Sequence, residues 1–304
     1  MKQTRSKIIF LMILCIWGLI TGCVSPSKAV EKYDSRPHSF LWEATKGKQI
    51  LTLVGTMHVG ITPEDMNPVL WSRINQADTV LIETDIGNSD SRLMERFLTM
   101  PAGVNLSDMF GKPYWEKFTK VLKDSGSPVP EAQLHTITPL AAGIFLLQSQ
   151  AKAEDDMKEG QLSIDQIIFD KAKALHKKTR TFETNEEQLI YLKNIFTIDA
   201  LKKMLDEWTD ESESYDTMKK AFNSGDTEAL DALLEDVPKE IRTSLLDERN
   251  HHWMLALPKL SSPNHTLIAV GAAHFAGPEG LLKLLEHEGY VIHPIKRQPP
   301  QLVP

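Results

Sequence analysis

Two segments near opposite ends of the chain share one plan: an apolar run, the pattern G-x-x-H, a helical stretch, and a second apolar run. In the first, residues 49–54 lead into Gly55-Thr56-Met57-His58, a helix is expected over 62–76 from a Thr62-Pro63 start, and residues 79–84 form the next strand. In the second, residues 266–270 lead into Gly271-Ala272-Ala273-His274, a helix is expected over 278–288 with Gly289 as its stop, and residues 290–295 form the last strand. Each is a βαβ unit. Two such units of one hand share a sheet and bring their strand ends to one edge. The expected fold class is therefore α/β: a central mixed or parallel sheet from two βαβ units at the chain ends, with a large helical insertion between them.

Residues 40–45, a turn at Lys46-Gly47-Lys48 and residues 49–54 predict a hairpin ahead of the first unit. Between the units, residues 114–123, 140–152, 163–176, 186–195, 199–208, 215–223 and 240–257 carry helical spacing. Ser163 with Gln166, and Thr184 with Glu187, read as capping boxes. One further strand, 179–182, lies between the boxes and ends at Glu183.

The first residues set the expected compartment. A basic start (Lys2, Arg5, Lys7), an apolar run over 8–20 and Thr21-Gly22-Cys23 make a secretory leader whose end resembles a bacterial lipobox. The run is short of the ~20 apolar residues that span a bilayer. The expected organisation is a leader over 1–22, a tether over 23–37 beginning at a lipidated Cys23, an α/β domain over 38–297 and a Pro-rich tail over 298–304. The chain would then be lipid-anchored in the cell envelope, facing away from the cytoplasm. Of the 2 cysteines, Cys15 leaves with the leader and Cys23 takes lipid, so disulfides, thiolate metal sites and a Cys nucleophile are excluded. Removing three basic residues leaves 31 against 41 acidic ones and moves the formal charge from -7 to -10. An acidic domain of this kind repels nucleic acid, and lipid rather than a basic patch would hold it at a membrane.

The candidate chemistry lies at the strand ends, where open α/β sheets bind ligands. His58 and His274 occupy matched positions after two strands. Either alone reads as a hydrogen-bonded loop histidine; together they suggest a shared pocket, and neutral imidazole is the commonest metal ligand. Glu83 ends an apolar strand and reads as a third metal ligand, a general base, or a surface carboxylate one residue past the core, with Asp85 as the fallback. Glu183 has the same placement after 181–182, with a helix-capping role as the alternative. Two carboxylates and two histidines suit a divalent ion. In the helix over 240–257, Arg249 stands on the row Leu245, Arg249, Trp253, and Asn250 on the row Leu246, Asn250, Met254. Both polar residues interrupt an apolar face and need buried partners. Arg249 reads as a clamp on Glu83 or Glu183, or as an oxyanion stabiliser. Asp165 fits a helix N-terminus, and His251 and His252 read as solvent-facing or structural. The sequence has no H-E-x-x-H, G-x-S-x-G, Walker A or G-x-G-x-x-G pattern.

Taken in order, Leu53 through Gly60, Leu81-Ile82-Glu83-Thr84-Asp85, Asp165, Phe182-Glu183-Thr184 with Glu187-Gln188-Leu189, Glu248-Arg249-Asn250-His251-His252-Trp253, Val270 through Gly277, and Gly280 on to Val291 resemble the TraB/PrgY/GumN-type family, which includes the Tiki proteases. The resemblance spans roughly residues 38–296. Phe275 stands where many relatives carry leucine. The resemblance implies that His58, His274, Glu83, Glu183, Arg249 and Asn250 form the site. It also implies divalent-metal-dependent peptidase activity with manganese or cobalt, zinc remaining open. The expected function is a metal-dependent hydrolase acting on a peptide or protein. The alternatives are a non-catalytic protein that binds or sequesters a peptide, as PrgY-type members do, and an envelope scaffold.

Overall fold

The computed structural model describes residues 40–57, 61–85, 87, 90–127, 129–152, 163–208, 219–223, 225, 227–235, 237 and 239–296. The expected leader, tether and tail, with Cys23, lie outside them, as does His58. Six strands make one sheet: β1 Leu41–Lys46, β2 Gln49–Thr56, β3 Thr79–Ile82, β4 Lys178–Thr181, β5 His265–Gly271 and β6 Val291–Pro294, in the order β4-β3-β5-β2-β1-β6. β4, β3, β5 and β2 are parallel to one another, while β1 runs antiparallel to both β2 and β6. The chain is an α/β fold with a mixed sheet.

The hairpin forms as expected, with Gly47 at φ 60 supplying the left-handed turn. The two strands of each terminal βαβ unit are not neighbours, however. β5 inserts between β2 and β3, and both β2 and β1 separate β5 from β6. Strand β4, from the helical middle, joins the sheet as an edge. β5 is buried along all its length and flanked on both sides, as its continuous apolar run requires.

Helices cover both faces. Glu43 and its register partner Thr52 lie on one face, where Glu43 pairs with Arg73 at 2.7 Å from the Val69–Gln76 helix. The Ile164–Ala174 helix packs beside it over β3 and β4. On the other face Trp42 meets Phe275 (ring centres 5.1 Å apart) and Phe40 stacks on Phe222 (5.3 Å). Phe40 also explains Gly55: a Cβ there would stand 2.8 Å from the Phe40 Cβ. Gly55 and Gly271 are thus not sharp left-handed turns, since neither is among the positive-φ residues.

Helix N-termini differ from the sequence expectation in position or in capping: the helix expected from 278 begins at Leu281, and two others show the reasons. The first crossover helix begins at Val69 rather than at Thr62-Pro63, because Thr62 closes a local turn with Asp65, its backbone N–H donating to Asp65 Oδ2 at 2.9 Å. Ser163 does cap the Ile164–Ala174 helix by position, but its side chain makes no capping bond; Gln166 instead reaches Asp170 at 2.9 Å and the Gly87 N–H at 3.4 Å. The Thr184–Glu187 box forms in full. Of the helix expected over 215–223, only 219–223 lies within the described residues, and it is helical. No helix among the described residues is long and apolar enough to cross a membrane.

Candidate functional site

Four parallel strands end along one edge in the order β4, β3, β5, β2. Just past these ends come Glu183, Glu83, the His274 turn and the segment leading to His58. The β3–β4 pairing runs on past both strands: Phe182 N–H donates to Ile82 O at 3.0 Å and Glu183 N–H to Glu83 O at 2.9 Å. The two glutamates are therefore held side by side by backbone. β5 ends at Gly271, whose N–H donates to Glu83 Oε1 at 2.7 Å. The chain then makes one 3₁₀ turn, Ala272–Phe275, which carries His274 fully buried.

Arg249 crosses above these ends. It sits in the Glu248–Leu260 helix, which the chain enters through a π-helical turn, Thr243–Asp247, closed by Glu248 N–H donating to Thr243 O. The sequence suggested one regular helix here. A π turn shifts the helix register and is often found at functional sites. All five guanidinium N–H donors meet acceptors. Nε donates to Glu183 Oε1 at 2.7 Å and Nη2 to Glu183 Oε2 at 2.9 Å, a two-pronged contact. Nη2 also donates to Glu83 Oε2 at 2.7 Å, and Nη1 to Leu245 O at 3.1 Å and to His274 Nε2 at 3.3 Å. The triad is nearly sealed: Arg249 is 1% exposed, Glu83 2% and Glu183 7%. Buried ion pairs hold only when their remaining bonds are also made, and here Trp253 Nε1 donates to Glu183 Oε1 at 2.8 Å while Gln188 Nε2 approaches Glu83 Oε2 at 3.4 Å.

Asn250 does something else. Its Nδ2 donates to the backbone oxygens of His274 (3.2 Å) and Glu279 (2.8 Å), which fixes the amide so that Oδ1 faces His274 Nδ1 at 2.7 Å. Nδ1 must then carry the proton. Arg249 can only donate, so Nε2 is the acceptor, and the imidazole is neutral with its lone pair on Nε2. Trp253 packs against the ring at 4.3 Å and is itself stacked on Phe182 at 5.1 Å. His274 Nε2 lies 3.7 Å from Glu83 Oε1.

The structure thus brings together Glu83, Glu183, Arg249, Asn250 and His274. It gives the two neighbours different tasks: Arg249 holds the carboxylates, one of its expected roles, while Asn250 orients the histidine, a role the sequence did not suggest. Asp85 is not needed as a substitute for Glu83; it pairs with Lys173 at 2.8 Å. Asp165 occupies the first turn of its helix, as expected. His251, paired with Glu279 at 2.8 Å, and His252 are both exposed. Sequence reasoning missed three neighbours. Trp253 read only as an apolar row-mate of Arg249, and Gln188 as a helix residue after the Thr184 cap. Tyr191, one helical turn above Gln188, places its ring 5.8 Å from the Arg249 guanidinium carbon; burial and then the Glu183 charge push its phenol up.

Among the described residues no group of three or more His, Cys, Asp or Glu side chains is placed to hold a metal ion, and His58 is not one of those residues. Two donors are nevertheless close to what a shared ion requires. Ligands ~2.1 Å from a tetrahedral ion stand ~3.4 Å apart, near the 3.7 Å between His274 Nε2 and Glu83 Oε1. The Nδ1–Asn250 bond is the outer-shell support that ligating histidines generally have. An ion at this edge would displace the Arg249 Nη1 contact with His274, the longest of that guanidinium's bonds at 3.3 Å.

Beside the 3₁₀ turn runs a surface groove of about 550 Å³, lined by Phe275, Ala276 and Gly277 and by the acidic Glu228 and Asp231. Neither a curated protein nor a solved structure matches the chain. The model of the TraB/PrgY/gumN family matches it over residues 40–294, the whole span from β1 to β6, so the chain belongs to the TraB/PrgY/gumN family.

Proposed function

We propose that this protein is a metal-dependent hydrolase acting on a peptide or ester-like bond outside the cytoplasm, held at a membrane by lipid on Cys23. The observation that carries the reading is the preset imidazole: a buried His274, fixed as the Nδ1–H tautomer by Asn250, holds Nε2, now accepting from Arg249 Nη1, 3.7 Å from a Glu83 carboxylate oxygen. His274 and Glu83 would hold a manganese, cobalt or zinc ion together with His58. A bound divalent ion lowers the pKa of water toward neutrality and polarises a carbonyl.

The chain's own residues supply the rest. Glu83, whose Oε1 is anchored by the Gly271 N–H, gives negative charge at the strand end. Arg249 neutralises part of the paired carboxylates, and the cluster's two carboxylates against one guanidinium leave the sign a cation prefers. Glu183 keeps Arg249 in place through its two-pronged bond and orients Trp253 against the His274 ring. Once Nη1 is released from His274, Arg249 presents a donor to a developing oxyanion. The groove along Phe275–Gly277 suits a peptide substrate.

The test is to mix the purified protein with manganese, cobalt or zinc and a peptide library. Wild type is expected to cleave, and His58→Ala and His274→Ala to lose cleavage and metal binding. Absence of metal binding in wild type, with unchanged behaviour of both variants, rejects the reading. One observation favours a second reading, a peptide-binding protein without catalysis: both glutamates are already engaged by Arg249. Recovery of bound but intact peptide after incubation would select it.

A further inference from the structure

Another cavity shares no lining residue with the carboxylate–imidazole cluster. It opens where the Ser91–Leu98 and Asn185–Ile195 helices end and the Pro139–Lys152 and Ile198–Asp206 helices begin. Its volume is about 570 Å³, inside the ~300–1,000 Å³ range of small-molecule sites. The most buried lining residues are Leu140 and Phe196, each 1% exposed. Phe97, Met100, Met109 and Ile198 continue the apolar wall, and Met109, 40% exposed, brings it to the surface.

Two features define what this cavity would take. The first is charge: its charged lining residues are Arg96 and Lys193, in a chain where 41 acidic residues outnumber 34 basic ones. The Arg96 guanidinium carbon lies 5.0 Å from the Phe97 ring. Its Nη2 donates to Glu186, which is not in the lining, and leaves the rest of the five-donor fork for a ligand. Lys193 makes no ion pair among the described residues. The second feature is the backbone. Pro101 and Pro139 have no N–H. The N–H groups of Thr99, Met100, Thr138, Phe196 and Thr197 donate to Glu95 O (2.9 Å), Thr136 O (2.7 Å), Leu98 O (3.0 Å), Leu192 O (3.0 Å) and Ile195 O (2.8 Å). The Thr138 hydroxyl donates to Phe97 O at 2.8 Å. A peptide laid here would bury its carbonyls against a wall whose donors are already used, at a cost for each. An acyl chain makes no such demand.

We propose that this cavity binds a long-chain carboxylate, its apolar chain against Leu140, Phe196 and the two methionines and its head group between Arg96 and Lys193. Methionine is unbranched and adapts to a flexible chain. Arg96 offers a planar fork that matches a carboxylate, and Lys193 adds a point charge. The site stands apart from the hydrolytic reading and needs no metal.

Palmitate is the probe, with hexadecanol as its uncharged counterpart, each titrated calorimetrically into purified wild type, Lys193→Glu and Met109→Asp, with thermal melts of the ligand-free proteins. Wild type is expected to bind palmitate more tightly than hexadecanol. Lys193→Glu is expected to bind palmitate about tenfold more weakly, the size of turning one exposed attraction into a repulsion, and to leave hexadecanol binding unchanged. Met109→Asp is expected to weaken both ligands, because it places a charge on the apolar wall. Both side chains are exposed, so the melts should stay within a few degrees of wild type; should Lys193→Glu melt lower, Lys193→Gln replaces it, with about half the effect on a logarithmic scale. The proposal is overturned if wild type binds no palmitate, if it binds hexadecanol equally well, or if palmitate binding is the same in all the variants, which would put the ligand elsewhere. It is also overturned if an acidic apolar peptide binds with dependence on Lys193 while palmitate does not.

Discussion

Replacing Arg249 with methionine tests the reading of the buried cluster most sharply. Methionine fills much of the arginine volume but removes every donor. Three charge-assisted bonds disappear, at 2.7, 2.9 and 2.7 Å, together with those to Leu245 O and His274. Glu83 and Glu183 are then left side by side with their backbones still bonded at 2.9 Å. Summing the bonds at ~1.5–3 kcal/mol each would overstate the loss, because the pair's desolvation cost is carried in wild type as well. The appropriate figure is that for removing one partner of a buried pair, about 3–5 kcal/mol. For a domain of this size ~1 kcal/mol moves the melting temperature by roughly 2–4 °C, so the expected drop at pH 7 is on the order of 10 °C by calorimetry. The deficit should shrink as pH is lowered from 7 toward 5. Protonating an abandoned carboxyl removes its buried charge, and the folded variant then takes up protons that the unfolded chain has not yet bound. Arg249→Met with Glu183→Gln should recover part of the loss, a non-additive pair. A pH-independent shift below ~1 kcal/mol, the range of exposed ion pairs, would refute the argument that this guanidinium carries the cluster.

Other outcomes follow from single contacts. Asn250→Ala removes the 2.7 Å anchor of His274 Nδ1 and should cost about 1–3 kcal/mol; NMR should show the His274 Nδ1–H resonance lost, and its persistence would contradict the tautomer assigned. His265 is held below its ordinary 6.5, chiefly by burial and then by the Arg73 charge. The unfolded chain thus binds this proton at higher pH than the folded one, so the stabilisation is complete above about pH 6.5 and fades as pH falls below it; urea midpoints of His265→Gln between pH 7 and 5 should lack that component. A Cβ at Gly143 would stand 2.0 Å from Phe196 Cδ1, and Gly143→Ala should destabilise by ~1–3 kcal/mol despite its better helix propensity; a stabilised variant would show that the helices move apart freely. Thr184→Ala removes a formed capping box and should cost about 1 kcal/mol in a thermal melt.

Much of this molecule is legible in the sequence because its signals are local. The apolar runs at 49–56 and 265–271 need cover on both faces and become inner strands. The Thr184–Glu187 box forms because both partners lie within one turn. Arg249 and Asn250 announce themselves as polar residues set among Leu245, Leu246 and Trp253, and both are buried with partners. What the sequence leaves undecided is long-range. The insertion of β5 between β2 and β3 rests on pairings with no local signature, yet it is what brings the Gly271 N–H to Glu83. The division of labour between Arg249 and Asn250 is likewise tertiary. Adjacent helix positions point about 100° apart, and only the placement of the helix over four strand ends determines which side chain meets the carboxylates and which meets the imidazole. Local chemistry set the donors and acceptors; the strand order decided which of them meet.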